Sequence, residues 1–250
     1  MRTERTGAAA SRTISRMDQR LFAVALAAAL AVPGLSRAQV VEPRVDAPGS
    51  FDALVVNGAG QVRLFQAERD EVVVPGDRRL LDGVHVQRTG TTLTIALPRD
   101  PAVLGALAQV EVHVNHLTRL TLADASSVTA PLSFRSDLLT IHMASTGLVA
   151  FENLLVGQLV VDLSGAAQGR LVGRVDKLRL SATGTSQFAA DHLRARIAEV
   201  SVADAAGADV WPVNEGDLRV SGSGRVRYWG TPKIASTITG QGSIAPQGTR

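Results

Sequence analysis

A unit of about 20 residues recurs through the second half of this chain and restricts its possible folds more than any other feature. Seven anchor residues, all apolar, mark the units and follow one another at nearly constant intervals. An internal period of this length is typical of solenoids and other stacked repeat architectures. The anchors are Leu122, Met143, Leu163, Ala182, Val202, Val220 and Ile238.

Each unit carries the pattern of two short strands joined by a sharp corner. In most units an apolar residue two before the anchor and a polar residue one before it predict a half-buried strand. A second apolar alternation lies six and eight positions after the anchor in most units. Between them Gly, Asp or Ser stands two after the anchor, and Gly and Asp tolerate the positive φ of a corner. We predict structural corners at Gly165, Gly184, Asp204, Gly222 and Gly240.

Short strands at this period predict an all-β, right-handed parallel β-helix or β-solenoid with about seven consecutive C-terminal rungs. One rung cannot bury its own apolar face, whereas stacked rungs share a core. The rival fold is a β-sandwich, which also has short strands and turn signals. A sandwich gives no reason for the same residue-type columns to recur seven times.

The N-terminal half predicts a less regular β layer. Val56–Leu64 matches Val220–Tyr228 in residue class at every position and is a distant copy of the unit. Thr89-Gly90 indicates a hairpin turn. Pro98–Ala108 is the one stretch expected to form a short helix or surface loop. Further strands are expected at Glu71–Pro75, Val84–Arg88, Thr91–Leu97 and Val110–Val114.

Residues 1–38 have the pattern of a secretory signal peptide. Arginines precede the apolar run Leu21–Val32. The small residues Ser36 and Ala38 occupy the two positions that signal peptidase recognises, so cleavage is expected after Ala38. The alternative is a membrane anchor, but the run is much shorter than the roughly 20 residues a spanning helix needs. The predicted divisions are signal peptide 1–38, linker 39–50, N-terminal β region 51–118, β-helix repeats 119–246 and tail 247–250.

Removing the signal peptide changes the charge balance and the partners it suggests. Positions 1–38 hold six of the 26 basic and two of the 23 acidic residues, so the remainder has a net charge near −1. This balance argues against nucleic acid as a partner. The chain has no Cys, which excludes disulfides, thiolate nucleophiles and Cys-ligated metals.

No residue constellation predicts catalysis, a cofactor or a metal. His113 and His116 have metal-like spacing, but the alternation at Glu111–Val114 predicts a strand that directs the two to opposite faces. Asp124 and Asp204 occupy the corner column, and no strip of acids repeats down one column. We therefore expect no enzyme activity. The alternative is a carbohydrate-active β-helix lyase or hydrolase, which would need clustered acids.

Two tryptophans give the one candidate binding feature. Trp211 and Trp229 are separated by the same interval as their anchors, Val202 and Val220, so we expect them to stack in adjacent rungs. If exposed, they and Tyr228 form a platform for a sugar or a partner. The alternative is a hydrophobic patch that covers the edge of the solenoid.

The ordered set of these segments resembles a known bacterial family. Phe51–Phe65, Val72–Leu81, Val84–Ile95 and the Leu-x-Val-Ser-Gly-Ser-Gly unit that ends in Tyr228-Trp229-Gly230-Thr231-Pro232 are similar to the head GIN domain, a domain of unknown function also called a putative autotransporter adhesin head. The resemblance covers residues 48–246. It implies a right-handed β-helical protein of the cell envelope and carries no catalytic residues.

Together these features predict an exported, non-enzymatic protein of the periplasm or cell envelope, or a secreted one. An adhesion, binding or scaffold role is expected, with a surface glycan or an envelope protein as partner and no membrane span in the mature chain. A structural factor without a dedicated ligand stays open. The open ends of a solenoid leave unpaired strand edges, so a homo-oligomer through those ends is also expected.

Overall fold

The computed structural model describes residues 42–76, 78–99 and 109–249. Strands dominate, and they join in one 16-stranded sheet that winds around a shared core. The elements are β1 Arg44–Asp46, β2 Ala53–Asn57, β3 Ala59–Gln66, β4 Glu71–Val74, α1 Arg78–Gly83, β5 His85–Thr89, β6 Thr92–Ala96, β7 Gln109–Val114, β8 Arg119–Leu122, β9 Ala125–Met143, β10 Leu148–Leu163, β11 Gln168–Ala182, β12 Gln187–Val202, β13 Gly207–Gly222, β14 Arg225–Tyr228, β15 Lys233–Gly240 and β16 Ser243–Pro246.

The seven anchors stack in register along one side, which we call the anchor sheet. Each anchor is the parallel-strand partner of the next, from Leu122 paired with Met143 to Val220 paired with Ile238. The distant upstream copy joins the same column, because Val56 pairs with Leu122. The predicted β-solenoid is therefore confirmed, and the seven anchors bound six turns.

The second strand of each unit also stacks, forming a second sheet. Val149 lies between Val128 and Gly169, and Phe188 lies between Gly169 and Ala208. Gly169 breaks the apolar pattern for a steric reason. A Cβ there would lie 2.9 Å from the Phe188 ring, so the missing side chain makes room for the larger residue in the next rung. The core thus keeps its density although individual rungs differ in composition.

The corner between the two sheets has the backbone conformation that its residue types favour. The φ angles of the predicted corners are 71° at Gly165, 73° at Gly184, 58° at Asp204, 73° at Gly222 and 110° at Gly240. Asp204 adds a contact that Gly cannot make, since its carboxylate accepts a hydrogen bond of 2.9 Å from the N–H of Gly184 in the preceding rung. Asp124 does the same for Gly58, at 3.0 Å.

The N-terminal part contains the expected strands and two elements that sequence reasoning missed. β5 and β6 form the antiparallel hairpin around Gly90. The strand β1 lies within the segment expected to be a linker and pairs antiparallel with β4. A short helix, α1, occupies Arg78–Gly83, where the pattern indicated none. Its end is held to the sheet by Arg44, whose guanidinium donates to the carbonyls of Leu81 and Val84 at 2.9 Å each.

Two segments for which the sequence predicts a structure lie wholly or mostly outside the described residues. The signal peptide lies wholly outside them, and most of the predicted loop or helix at Pro98–Ala108 does too. Within the described ranges, no helix has the length and apolar character needed to cross a membrane.

Candidate functional site

The long strands pass from the second sheet to the anchor sheet through a third side of the solenoid, and this side carries a ladder of arginines. Arg135, Leu155, Arg174 and Arg194 are register partners on β9, β10, β11 and β12, and Trp211 follows on β13. We call these five residues the arginine–tryptophan ladder. At a strand spacing of about 4.8 Å, the four steps span roughly 19 Å along the solenoid axis.

The ladder exists because the solenoid repeats its side-chain directions from rung to rung. Arg135, Leu155, Arg174 and Arg194 each stand eight positions before an anchor, and each has a buried residue beside it in its strand. For Arg174 and Arg194 the next residues, Val175 and Ala195, are buried at 1% and 0% exposure. Period-two alternation then directs the arginine side chains outward.

The C-terminal end of the ladder combines a cation with aromatic rings. The guanidinium carbon of Arg194 lies 5.3 Å from the centroid of the Trp211 ring, within the range of a cation–π contact. Trp211 is half-buried and its Nε1 lies close to the backbone of Gly230, where a Cβ would be 3.3 Å away. The indole is thus fixed between an arginine and a glycine backbone, with part of its surface open.

Tyr228 and Trp229 lie in the rung next to Trp211. Tyr228 is the register partner of Val210, and the Trp229 N–H donates to the Val210 carbonyl at 3.1 Å. Both side chains are half-buried, as Trp211 is. The backbones of the three residues predicted to form a platform are therefore neighbours at one end of the arginine–tryptophan ladder, but the Tyr228 side chain packs against the hydrophobic core. Their role as a shared binding platform stays a prediction. Direct stacking of the two indole rings stays a prediction.

An open groove of about 550 Å³ runs beside the other end of the ladder. Gly157 lies in its floor, where a Cβ would approach the Asp137 carbonyl at 2.8 Å. Two exposed carboxylates, Asp137 and Asp176, stand in the groove with the arginines. The residues that line it are His116, Arg135, Ser136, Asp137, Leu155, Val156, Gly157, Arg174, Val175 and Asp176.

The charges in the groove are only partly neutralised. Asp176 pairs with Arg196, with 3.8 Å between the carboxylate and Nε. The guanidinium groups of Arg135 and Arg174 are exposed and make no ion pair with any residue that the structure describes. Two guanidinium groups two rungs apart therefore present unsatisfied donors on the same side of the molecule. Guanidinium forks bind carboxylate, sulfate or phosphate groups through paired hydrogen bonds.

A second polar column lies on the anchor sheet and has a different character. His142 Nδ1 is 2.9 Å from the Asp162 carboxylate, and Thr121 and Ser181 continue the column on either side. The adjoining groove of about 360 Å³ is lined by these residues, by small side chains and by the anchors Leu122, Met143 and Leu163. The histidine and aspartate satisfy each other, so this column offers fewer free donors than the ladder.

The two histidines with metal-like spacing lie on different elements of the structure. His113 lies on β7 and stacks on Phe65, with ring centroids 5.3 Å apart, whereas His116 lies in the following loop beside the groove. In the described ranges, no group of three or more His, Asp or Glu side chains is placed to hold a metal ion.

Sequence reasoning found the tryptophans but missed the arginines. The signal was present, because arginine recurs eight positions before three of the anchors. It was concealed because the connection between the second strand of one unit and the first strand of the next varies in length. In β13 the ladder position is nine before its anchor, and the register shifts on both sides of Arg194.

Comparison with known proteins identifies the family and the fold. Residues 50–232 match the family described as "Putative auto-transporter adhesin, head GIN domain". No curated protein sequence is significantly similar to the chain.

Several solved structures share the fold at low sequence identity. A putative adhesin from Bacteroides fragilis has a TM-score of 0.72 and 18% identity, covering 83% of this chain and 96% of its own. A putative lipid binding protein from Parabacteroides distasonis has a TM-score of 0.61 and 20% identity, covering 82% and 96%. A putative adhesin from the same species has a TM-score of 0.66 and 16% identity, covering 82% and 95%. The match to the family over residues 50–232, together with this shared architecture, shows that the chain belongs to the head GIN domain family.

Proposed function

We propose that this protein is exported to the cell envelope and binds an acidic surface glycan along the arginine–tryptophan ladder, without catalysing a reaction. The observation that carries the proposal is the alignment of Arg135, Arg174 and Arg194 with Trp211 along one side of the solenoid. The auto-transporter adhesin description of the family supports the same class of role.

A linear acidic polysaccharide fits the ladder in both chemistry and shape. Its carboxylate or sulfate groups would accept paired hydrogen bonds from the guanidinium groups, which supply both charge and direction. The faces of its sugar rings would pack on the half-buried indole of Trp211, since aromatic rings offer a rigid apolar surface with a polar edge. Because the ladder extends roughly 19 Å along the axis, a chain can engage several rungs at once.

Binding to a polyuronate and a sulfated polysaccharide, measured by isothermal titration calorimetry, tests this role. Replacing Arg135, Arg174 and Arg194 together by Ala should reduce affinity by at least about tenfold and flatten its dependence on salt, because exposed charges are screened by salt. Arg170→Ala is the matched control, since Arg170 is an exposed arginine on the second sheet of the same rung as Arg174. Equal losses in the triple variant and the control, or no saturable binding by the native protein, would refute a ladder site.

Export is supported by the signal-peptide pattern of residues 1–38 and by the adhesin-type family. Expression in a bacterium followed by fractionation and N-terminal sequencing tests it. The expected mature N-terminus is Gln39, directly after Ala38. Recovery of the intact chain in the cytoplasmic fraction would contradict this part of the proposal.

A second candidate function is a carbohydrate-active enzyme, favoured by the two acids in the groove. Asp137 and Asp176 lie two rungs apart on either side of Gly157, and inverting glycosidases also use two separated carboxylates. Turnover measured on the same polysaccharides decides between the functions. Product formation that is lost in Asp137→Asn and Asp176→Asn would establish the enzyme, whereas binding without turnover supports the adhesin-type role.

A further inference from the structure

The C-terminal end of the solenoid exposes an unpaired strand and the end of the core. Among the described residues, β15 pairs only with β13 and β16 pairs only with β14. Ile238, the last anchor, is 48% exposed although its column is buried in the rungs below. Ile234 and Ile244 pack only partly against the core.

The two ends of the solenoid differ in the elements that follow the last parallel strand. At the N-terminal end the antiparallel hairpin β5–β6, the antiparallel strand β1 and the helix α1 interrupt the parallel stacking. Such terminal elements stop the stacking of repeat proteins. The described residues 233–249 include no helix and no antiparallel strand at the other end. A strand edge that carries little charge and is not covered is prone to pair with another chain.

The direction of the free main-chain groups on β15 follows from the rungs below. In each of these rungs the residue after the anchor donates its N–H to the preceding anchor, as Thr183 does to Leu163 at 3.0 Å and Ala203 to Ala182 at 2.9 Å. Main-chain groups of successive strand residues point to alternate edges. The N–H and C=O groups of Ile234, Ser236 and Ile238 therefore point to the free edge of β15.

We propose that this end binds a second copy of the chain through an antiparallel pairing of β15 with β15, on a two-fold axis at Ser236. In this register Ser236 of one copy lies opposite Ser236 of the other. Ile234 of each copy lies opposite Ile238 of its partner. It satisfies the free N–H and C=O groups of all three residues on each copy. A two-fold interface requires such self-complementarity, and the sequence of β15 provides it.

The charges and the apolar residues of β15 agree with this partner. Lys233 is the one charged residue among positions 233–246, and the proposed register places it opposite Thr239 rather than opposite another lysine. Ile234 and Ile238 from both copies would lie on the core side of the joined sheet. The apolar end of one core then covers that of the other, which buries the exposed part of Ile238.

Single cysteines test the register directly because the native chain has none. In the full-length protein, Ser236→Cys should form a disulfide-linked dimer under mild oxidation, since Cα atoms of a directly opposed hydrogen-bonded pair lie about 5.5 Å apart. Thr237→Cys is the matched control. Its counterpart across the axis is a diagonal neighbour at about 7–8 Å, too far for a disulfide. Equal cross-linking of both variants, or none in Ser236→Cys, would overturn the register.

Sedimentation equilibrium tests the dimer without a covalent link. The native protein should dimerise with rising concentration, and Ser236→Pro should raise the dissociation constant about tenfold or more, because it removes two central donors. Proline is tolerated at this position since the lost N–H faces the free edge and not β13. Circular dichroism should show that the variant stays folded. A native protein that is monomeric at all concentrations, or a dimer that Ser236→Pro leaves unchanged, would overturn the proposal.

Discussion

Replacing each of two glycines with positive φ by Ala distinguishes two contributions to the loss of stability. One is backbone strain, and the other is a steric clash between adjacent rungs. Gly173 has a φ of 140°, and a Cβ there would lie 2.6 Å from the Leu154 nitrogen and closer still to the Leu154 carbonyl oxygen. Gly90 has a φ of 61° in the hairpin turn, and a Cβ there would meet no atom within 4 Å. The same substitution, Gly→Ala, therefore introduces strain at both positions and a steric clash at only one.

The expected costs follow from these surroundings. Gly90→Ala should destabilise the fold by about 1 kcal/mol, the cost of a left-handed conformation for a residue with a Cβ. Gly173→Ala adds backbone strain of about 1–3 kcal/mol. It also forces the Leu154 peptide away from its neighbouring strand. Each backbone hydrogen bond between the strands that is lost there costs about 1 kcal/mol more. We expect a total of about 3 kcal/mol or more for Gly173→Ala.

Urea denaturation followed by circular dichroism measures both effects. With a denaturant slope of about 3 kcal/mol per M, Gly173→Ala should lower the midpoint by about 1 M, and Gly90→Ala by about a third of that. The denaturant slope should stay unchanged in both variants. Equal midpoint shifts in the two variants would refute the argument that adjacent rungs approach closely and rigidly at Gly173.

Three further experiments test other parts of the structure. Asp204→Ala should destabilise more than Asp204→Gly by about 1 kcal/mol in thermal melts, because both lose the bond to Gly184 but only Gly relieves the positive φ. Phe151→Ala should cost about 3–5 kcal/mol, and a double-mutant cycle with Phe134→Ala should show coupling, since the rings make an edge contact at 5.5 Å. Hydrogen bonds from Lys177 and Arg179 lower the pKa of Glu199, so its stabilisation is present above the ordinary carboxyl pKa and lost as pH falls through the folded-state pKa. Glu199→Gln should therefore be destabilised by less than about 1 kcal/mol at neutral pH, with the difference disappearing in acid; a difference that persists in acid would contradict this.

The fold and the register of the rungs could be predicted from the repeat alone. The column that contains Leu122, Met143 and Val220 was readable because every rung must place an apolar residue at the same point of the shared core. Corners were readable for a related reason, since a sharp bend in a stacked backbone admits few residue types. The corner of each rung and the shared core both require particular residue types once per rung. The same period therefore appears in the sequence at both kinds of position.

The outward residues that become neighbours, and the elements that close or expose the ends of the solenoid, are known only from the folded structure. Outward positions have no core to fill, so their residue types vary from rung to rung, and turns of different length change their offset from the anchor. Arg194 and Trp211 become neighbours because the rungs shift in register by whole residues between β12 and β13. α1 and β1 at one end and the free edge of β15 at the other depend on contacts between distant segments, such as Arg44 with Leu81 and Val84. A period in the sequence describes the interior that every rung shares, whereas the surface and the ends of this protein are specified only once the chain is folded.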